Sequence, residues 1–179
     1  AQQWRVRLGL PEKREYDEVL RKLSPLPVEE GVYVSWENIE RMWTSYNWEH
    51  PALVGAYGML PGDGVDIPTM RRTLAKVHAE WKLGETWGWD FPMLAMCAAR
   101  LGDPERAVEY LLDYPAFDFD PHGLVGGGRA PFPYFPGNGG LLYAVAMMAA
   151  GWDGAPAGDA PGFPEKGGVV RSEGLRRAL

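Results

Sequence analysis

The amino-acid sequence predicts an all-α fold in which helical hairpins form two layers. Segments with one apolar face alternate along the chain with segments that are apolar on every side, and long Pro- and Gly-rich connections separate them. An amphipathic helix can form an outer layer, whereas a helix that is apolar all round needs neighbours on every side. A helical-repeat solenoid is the alternative, but the chain has no fixed period of self-similarity and its connections vary in length.

The first half of the chain contains two predicted amphipathic helices and one short apolar helix. Residues Pro11 to Leu23 place apolar side chains at helical spacing between charged ones, so we expect one face to pack. After Ser24-Pro25-Leu26-Pro27, the stretch from Val28 to Val34 reads as extended. A short apolar helix is predicted from Pro51 to Leu60, and a second amphipathic helix from Pro68 to Lys82.

The second half repeats this alternation. Asp90 is a favourable helix cap and Gly102 a favourable stop, and the helix between them is apolar on every side, so we expect it to be buried. An amphipathic helix follows from Pro104. Another wholly apolar helix is predicted from Gly139 to Ala150. These elements give about three helical hairpins of a toroid within residues 1–154, followed by a Gly- and Pro-rich tail, 155–179, with one possible strand at Val169–Leu175.

Composition excludes several classes of function. The formal net charge is −6 and the 18 basic residues are scattered, so the sequence shows no cluster of positive charge of the kind that binds nucleic acid. No apolar stretch approaches the roughly 20 residues that a membrane span needs. Cys97 is the only cysteine, so no intramolecular disulfide can form. The histidines lack metal-ligand spacing and Gly126-Gly127-Gly128 lacks the residues of a phosphate loop, so we predict no metal and no cofactor.

Three polar and aromatic motifs precede the three apolar helices. They are Asn47-Trp48-Glu49-His50, Glu85-Thr86-Trp87-Gly88-Trp89-Asp90 and Gly137-Asn138-Gly139. If the inner helices run roughly parallel, their N-termini meet at one end of the fold and the three motifs surround one cavity. Aromatic rings together with polar groups suit a carbohydrate, so the sequence predicts a sugar-binding cleft.

Four strings of the sequence, in this order, resemble the C-terminal half of six-hairpin glycosidases. They are Ser24-Pro25-Leu26-Pro27-Val28 with Gly31-Val32-Tyr33, His50-Pro51-Ala52-Leu53 with Gly58-Met59-Leu60-Pro61, Thr86-Trp87-Gly88-Trp89-Asp90-Phe91-Pro92-Met93 with Ala98-Ala99-Arg100-Leu101-Gly102, and Gly137-Asn138-Gly139-Gly140-Leu141 with Gly151-Trp152-Asp153-Gly154. These enzymes belong to the (α/α)6-toroid clan that holds glycoside hydrolase families 65 and 95. The resemblance implies a carbohydrate-active fold over nearly the whole chain.

The chain also departs from that family. A full toroid has six hairpins, and about three are predicted here, so the resemblance implies that the N-terminal half of the toroid and a β domain lie outside this chain. In fucosidase-like members an Asp that serves as base precedes the Gly-Asn-Gly turn, whereas this chain reads Tyr134-Phe135-Pro136-Gly137-Asn138. The general acid of such enzymes also comes from an earlier segment. A complete catalytic pair therefore cannot be transferred to these residues.

Asp90, Glu85 and Glu49 are the candidate catalytic carboxylates, because glycoside hydrolysis ordinarily uses two carboxyl groups. Each has a simpler alternative: Asp90 as a helix cap, and Glu85 and Glu49 as loop charges. Trp48, Trp87, Trp89, His50 and Asn138 are the candidate substrate-binding residues. Their alternatives are core packing for the tryptophans, a structural histidine, and a turn residue for Asn138.

The sequence thus predicts part of a glycoside hydrolase that acts on a carbohydrate substrate by acid/base chemistry in a longer parent enzyme and is inactive alone. The alternatives are a non-catalytic carbohydrate-binding or scaffold remnant and a helical protein-interaction module. Three motifs at one end of the fold favour the first two. A continuous exposed apolar groove along the helices would favour the third.

Overall fold

A computed structural model describes residues 1–179, and most of its regular structure is helical. No helix in it has both the length and the apolar character that crossing a bilayer requires. The elements are α1 (Gln2–Arg7), α2 (Arg14–Arg21), β1 (Val28–Glu29), β2 (Val32–Tyr33), α3 (Met42–Ser45), α4 (Ile67–Glu80), α5 (Asp90–Arg100), α6 (Pro104–Leu112) and α7 (Phe135–Ala150), with single 3-10 turns at Ala52–Ala56, Leu83–Glu85 and Pro115–Phe117.

Helix α5 is the centre of the core. Every one of its residues is buried, and it packs against α6, α7 and the 3-10 turn Ala52–Ala56. Gly58 lets that segment approach closely, because a Cβ atom there would lie 2.9 Å from the backbone nitrogen of Cys97. The predicted burial of this helix is confirmed, and its position fixes the direction in which Asp90 enters the fold.

Helices α4 and α6 have the predicted amphipathic character. Asp66 begins α4 by accepting a hydrogen bond from the backbone N–H of Thr69 at 2.8 Å, and Asp103 begins α6 by accepting one from Arg106 at 3.1 Å. A side-chain acceptor at this position satisfies a helix N–H group that has no partner inside the helix. The predicted helices beginning near Pro68 and Pro104 are therefore confirmed within a residue or two.

Three predicted elements differ from the structure. The segment from Pro51 to Leu60 contains only the 3-10 turn Ala52–Ala56, since its two glycines weaken a short helix. Helix α7 begins at Phe135, four residues before the predicted Gly139. The extended stretch from Val28 is a small antiparallel hairpin of β1 and β2, which turns at Glu30 and Gly31, both with positive φ.

The N-terminal region is less well packed than predicted. The apolar residues of α2 were expected to pack, but Tyr16, Val19, Leu20 and Leu23 are all exposed. Helix α1, which the sequence analysis missed, is joined to α2 through the Gln2 side chain, which donates to Asp17 Oδ1 at 2.9 Å. An ion pair of 2.6 Å between Arg7 and Asp153 tethers this region to the loop after α7.

Helix α7 was expected to be buried on every side, and this is only half correct. Ala144, Met147 and Met148 face the core, whereas Phe135, Leu142, Tyr143 and Val145 are exposed. The helix carries no charged residue, so its outer side is an apolar surface. We call this surface, defined by those four exposed residues, the open face of α7.

The C-terminal tail contains no strand at Val169–Leu175. Its end returns to the body, where Ala178 forms a parallel bridge with Trp152. Arg100, which is buried, donates a hydrogen bond from Nε to the Gly58 carbonyl at 3.0 Å and one from Nη2 to the Leu179 carbonyl. The guanidinium also lies 5.6 Å from the Trp152 ring, so backbone carbonyls and an aromatic ring surround this buried cation.

Candidate functional site

The predicted motifs at His50 and at Asp90 meet in the structure. His50 ends the loop before the 3-10 turn Ala52–Ala56, and Asp90 is the first residue of α5. The Nδ1 atom of His50 lies 2.8 Å from Oδ1 of Asp90. The side chain of His50 is 33% exposed and that of Asp90 is 0% exposed, so only the histidine of this pair can contact a ligand directly.

The carboxyl group of Asp90 points back into the preceding loop and does not cap its own helix. Its Oδ2 atom accepts hydrogen bonds from the Thr86 hydroxyl and, at 3.0 Å, from the backbone N–H of Trp87. Trp89 occupies the cap position and makes no side-chain capping bond. Burial raises the pKa of Asp90 above the ordinary aspartate value, and its contacts with Thr86, His50 and Trp87 offset part of that rise.

Aromatic rings are stacked around His50. The ring centroids of His50 and Trp87 are 4.1 Å apart, and Trp48 lies beyond Trp87 at 6.2 Å. Trp89 stands edge-on to His50, and its indole N–H donates to His50 Nδ1 at 3.0 Å. The tryptophans were predicted to offer free faces to a sugar, but Trp87 lies between two other rings. The stack therefore fixes the imidazole, and its Nε2 atom makes no hydrogen bond within the protein.

Glu85 is engaged in ion pairs. Its carboxylate lies 3.1 Å from Arg129 Nη2 and 4.0 Å from Lys82 Nζ, and its backbone carbonyl accepts a hydrogen bond from Arg129 Nε at 2.8 Å. These contacts hold the Arg129 guanidinium 4.0 Å from the centroid of Trp48. Arg129 thus covers one face of Trp48, whose indole N–H donates to the Ser45 carbonyl at 2.9 Å.

Glu49 is the candidate carboxylate without a partner. No hydrogen bond or ion pair joins its side chain to another residue, and the residue is half-buried beside His50. Its backbone carbonyl accepts a hydrogen bond from the Trp81 indole at 2.6 Å, which anchors the loop to the end of α4. The carboxylate is therefore available to a ligand while its backbone is held in place.

Asn138 lies in the first turn of α7 and not in a loop before the helix. Its side-chain amide donates to the Gly123 carbonyl at 2.7 Å, and its Oδ1 atom is buried without a hydrogen-bond partner. No hydrogen bond joins Asn138 to the cluster of His50, Asp90 and the tryptophans. The structure thus brings the first two motifs together and leaves the third one outside their hydrogen-bond network.

A glycine segment supports the loop that carries the site. Gly126 and Gly128 run against the backbone of residues 86–88: a Cβ atom on Gly88 would lie 2.5 Å from the Gly126 carbonyl oxygen, and one on Gly128 would overlap the carbonyl oxygen of Thr86. Gly128 also has a φ of +60°, which favours glycine. The sequence showed this run only as an improbable phosphate loop, so its packing function was missed.

Sequence analysis also missed Thr86 and Arg129 as site residues. Thr86 is buried and bonds Asp90 from four residues upstream, a spacing that carries no signal outside a helix. Arg129 follows the glycine run, and its contacts with Glu85 and Trp48 join segments more than 40 residues apart in the chain. Only the tertiary fold makes these contacts visible.

The best-defined cavities of the molecule are lined by residues outside the cluster. One of about 640 Å³ is between the C-terminal end of α7 and the tail, with Asp159, Arg171 and Arg177 among its lining residues. Another of about 450 Å³ lies next to the glycine segment. No group of three or more His, Cys, Asp or Glu side chains is placed to hold a metal ion. Cys97 is fully buried, and burial raises the pKa of its thiol.

Comparison with known proteins adds no relative to this description, because no family model, no curated protein and no solved structure matches the chain.

Proposed function

We propose that this chain carries part of a carbohydrate-active site on a fold of the six-hairpin glycosidase type. The observation that carries the proposal is the cluster at the start of α5, where His50 is fixed by Asp90 and two tryptophans and leaves one ring nitrogen free. This cluster is built from two of the motifs on which the resemblance depends. A partly exposed imidazole beside a free carboxylate suits the hydroxyl groups of a sugar.

In this proposal His50 and Glu49 are the groups that contact the ligand, and Asp90 is a positioning residue. Asp90 is fully buried, and Glu85 is occupied by Arg129 and Lys82. Glu49 alone keeps a free carboxylate. Glycoside hydrolysis ordinarily needs two carboxyl groups on opposite sides of the bond. We therefore expect the chain alone to bind a saccharide without cleaving it, and the second carboxyl group to come from the rest of the toroid.

The packing of α7 supports the larger architecture. In a ring of hairpins each inner helix has neighbours on both sides, as α5 has here with α6, α7 and the turn Ala52–Ala56. Helix α7 has such a neighbour on one side only, and its open face is apolar. We propose that further hairpins of the parent enzyme cover this face.

The second candidate function is a helical protein-interaction module, and the same open face favours it. A partner that is not part of a toroid would cover Leu142 and its neighbours equally well. The two candidates differ in what they predict at His50, because a protein-interaction module has no need for a fixed imidazole. A saccharide that binds at His50 would favour the first candidate, whereas a chain that binds no saccharide but captures a helical partner would favour the second.

The test is saccharide binding monitored by tryptophan fluorescence, because two tryptophans contact the His50 ring and a third packs against one of them. We expect at least one member of a panel of mono- and oligosaccharides to change the emission of the wild-type chain. The variant His50→Phe keeps a ring against Trp87 and removes the free nitrogen, so its affinity should fall by about tenfold, the equivalent of about 1.4 kcal/mol. His122→Phe, in an exposed loop, is the matched control and should bind as the wild type does.

A panel in which no saccharide changes the emission would contradict the proposal. If His50→Phe and the wild type bind the saccharide with equal affinity, the saccharide binds somewhere other than the cluster. Circular dichroism of each variant establishes that the fold is retained.

A further inference from the structure

Two groups approach the same nitrogen of His50. The indole Nε1 of Trp89 is 3.0 Å from Nδ1, with its N–H directed at that atom, and Oδ1 of Asp90 is 2.8 Å from it. An imidazole nitrogen either carries a proton and donates it or presents a lone pair and accepts. Whether His50 or Asp90 carries the proton between them therefore depends on whether the third group, the Trp89 indole, donates or accepts at Nδ1.

That third group can only donate. An indole nitrogen has one N–H and no available lone pair, so Nδ1 must accept the bond from Trp89 and cannot itself carry a proton. An ionised Asp90 would then place an acceptor 2.8 Å from another acceptor. The contact is a hydrogen bond only when Oδ1 of Asp90 carries the proton and donates it to the lone pair of Nδ1, which Asp90 and the Trp89 N–H then share.

We propose that at neutral pH Asp90 is a neutral carboxylic acid that donates from Oδ1 to His50, and that His50 is neutral with its proton on Nε2. The other oxygen of Asp90, Oδ2, accepts hydrogen bonds from the Thr86 hydroxyl and the Trp87 N–H. Both of these bonds can form to the carbonyl oxygen of a neutral carboxylic acid. Trp89 is the positioning residue that selects this arrangement.

The surroundings of Asp90 agree with a neutral acid. The side chain is fully buried, and burial raises its pKa. The titratable groups that face the pair are His50 itself and Tyr134, whose own pKa is raised by burial and by Asp90. No lysine or arginine forms an ion pair with Asp90, so nothing cationic compensates a buried carboxylate there.

The consequence for the site is that His50 presents a hydrogen-bond donor to a ligand, and not a base. A ligand at Nε2 therefore meets an N–H group that can donate to one of its oxygen atoms. This use of His50 rests on the proposed function, whereas the position of the proton in the free protein does not.

The test is nitrogen-15 NMR of the three histidines, since the shifts of Nδ1 and Nε2 distinguish the two neutral tautomers. We expect His50 at pH 7 to be the tautomer protonated on Nε2, and the Asp90 carboxyl carbon to show a protonated acid. His78 is an internal control of opposite sense, because Arg106 Nη1 donates to its Nε2 at 3.0 Å and leaves the proton on Nδ1. His122, in an exposed loop, provides the solvent reference.

Two variants separate the proposal from its opposite. Asp90→Asn replaces the O–H donor by an N–H donor, so the tautomer of His50 should be unchanged. Trp89→Phe removes the indole donor, so the tautomer protonated on Nδ1 should appear. If Asp90 is ionised in the wild type, the His50 proton is on Nδ1 there. Asp90→Asn should then move this proton to Nε2, because Nδ1 would lose its carboxylate acceptor.

A wild-type His50 protonated on Nδ1 beside an ionised Asp90 would overturn the inference. A variant that no longer folds would lose the His78 signature as well, so unfolding is recognised in the same spectrum. These spectra are recorded without a saccharide, so a failure of the proton assignment and a failure to bind carbohydrate are separate results.

Discussion

The carboxyl group of Asp90 is fully buried at the start of α5, where it contacts His50 and Thr86. An aspartate before Phe-Pro at the start of an apolar helix was predicted to be a cap, a site residue or both. The structure shows that its carboxyl group turns away from the helix toward Thr86 and His50. This direction depends in part on His50, which lies 40 residues away in the chain. The sequence placed Asp90, His50 and the tryptophans in motifs that were expected to meet, and the structure brings these residues together, but the sequence could not show which atoms are in contact.

The raised pKa of Asp90 predicts a pH-dependent stability. Because the folded state binds the proton more tightly than the unfolded state, the contribution of Asp90 is fully present below the ordinary aspartate pKa of about 3.9 and is lost as pH rises through its folded-state pKa. The amide in Asp90→Asn cannot titrate. The free energy of unfolding of the wild type, minus that of this variant, should therefore fall as pH rises from about 4 through the folded-state pKa of Asp90. Urea denaturation of both proteins across this range measures the difference, and a difference that rises with pH would contradict the account.

Gly128 predicts a second effect at the residue scale. Gly128→Ala places a Cβ on the Thr86 carbonyl and also strains a positive φ, so it should destabilise the protein by more than about 2 kcal/mol. Gly123→Ala is the matched control, since its φ is also positive but open space surrounds it, and it should cost only about 1 to 2 kcal/mol. Chemical denaturation of the two variants gives the comparison. Equal losses would show that the glycine segment does not support the loop of residues 86–88.

At the scale of elements, hydrophobic periodicity predicted the helices well and their ends less well. Helices α4 and α6 have both a clear pattern and a capping side chain, whereas α5 has the pattern without a side-chain cap, and the bounds of all three agree with prediction to within about two residues. Helix α7 begins earlier than predicted because Gly137 and Gly140, although poor helix formers, permit close packing: a Cβ would lie 2.7 Å from Val125 at the first and 3.0 Å from Pro92 at the second. Tertiary packing thus overrides local propensity, and the sequence carries no sign of it.

The same limit applies to the burial of α2 and α7. A sequence pattern shows which side of a helix is apolar, but not whether another element lies against that side. Tyr16 and Leu20 follow the pattern of a packed face and yet are exposed, as is Leu142. Their exposure could not be predicted because it depends on which other elements of the fold lie against them.

The open face of α7 predicts self-association of the isolated chain. Leu142 is 73% exposed, so Leu142→Gln should leave the free energy of unfolding within about 0.5 kcal/mol of the wild type while reducing association and dye binding. Leu112→Gln is the matched control, because Leu112 is 75% exposed on α6, and it should leave association unchanged. Light scattering after size exclusion, over a range of concentrations, measures the effect. A wild-type chain that stays monomeric and binds no hydrophobic dye would show that the open face needs no partner.

At the scale of the whole molecule, the fold brings His50, Asp90 and the tryptophans together where two chain segments meet at the start of α5. The buried helix supplies a rigid base, the glycine segment presses the loop of residues 86–88 against it, and the aromatic stack fixes His50 above Asp90. The mostly helical class and the meeting of the first two motifs followed from the sequence. The roles of Glu85 as a partner of Arg129 and of Trp87 as a support for His50 required the three-dimensional arrangement.

The most direct test of the central claim is a saccharide titration observed at the three histidines by proton–nitrogen NMR. The account predicts that a binding saccharide shifts the Nε2–H resonance of His50 in proportion to occupancy and leaves His78 and His122 in place, because only His50 lies in the proposed site. Saturable binding that shifts His122 or His78 and leaves the His50 resonance unmoved would contradict it.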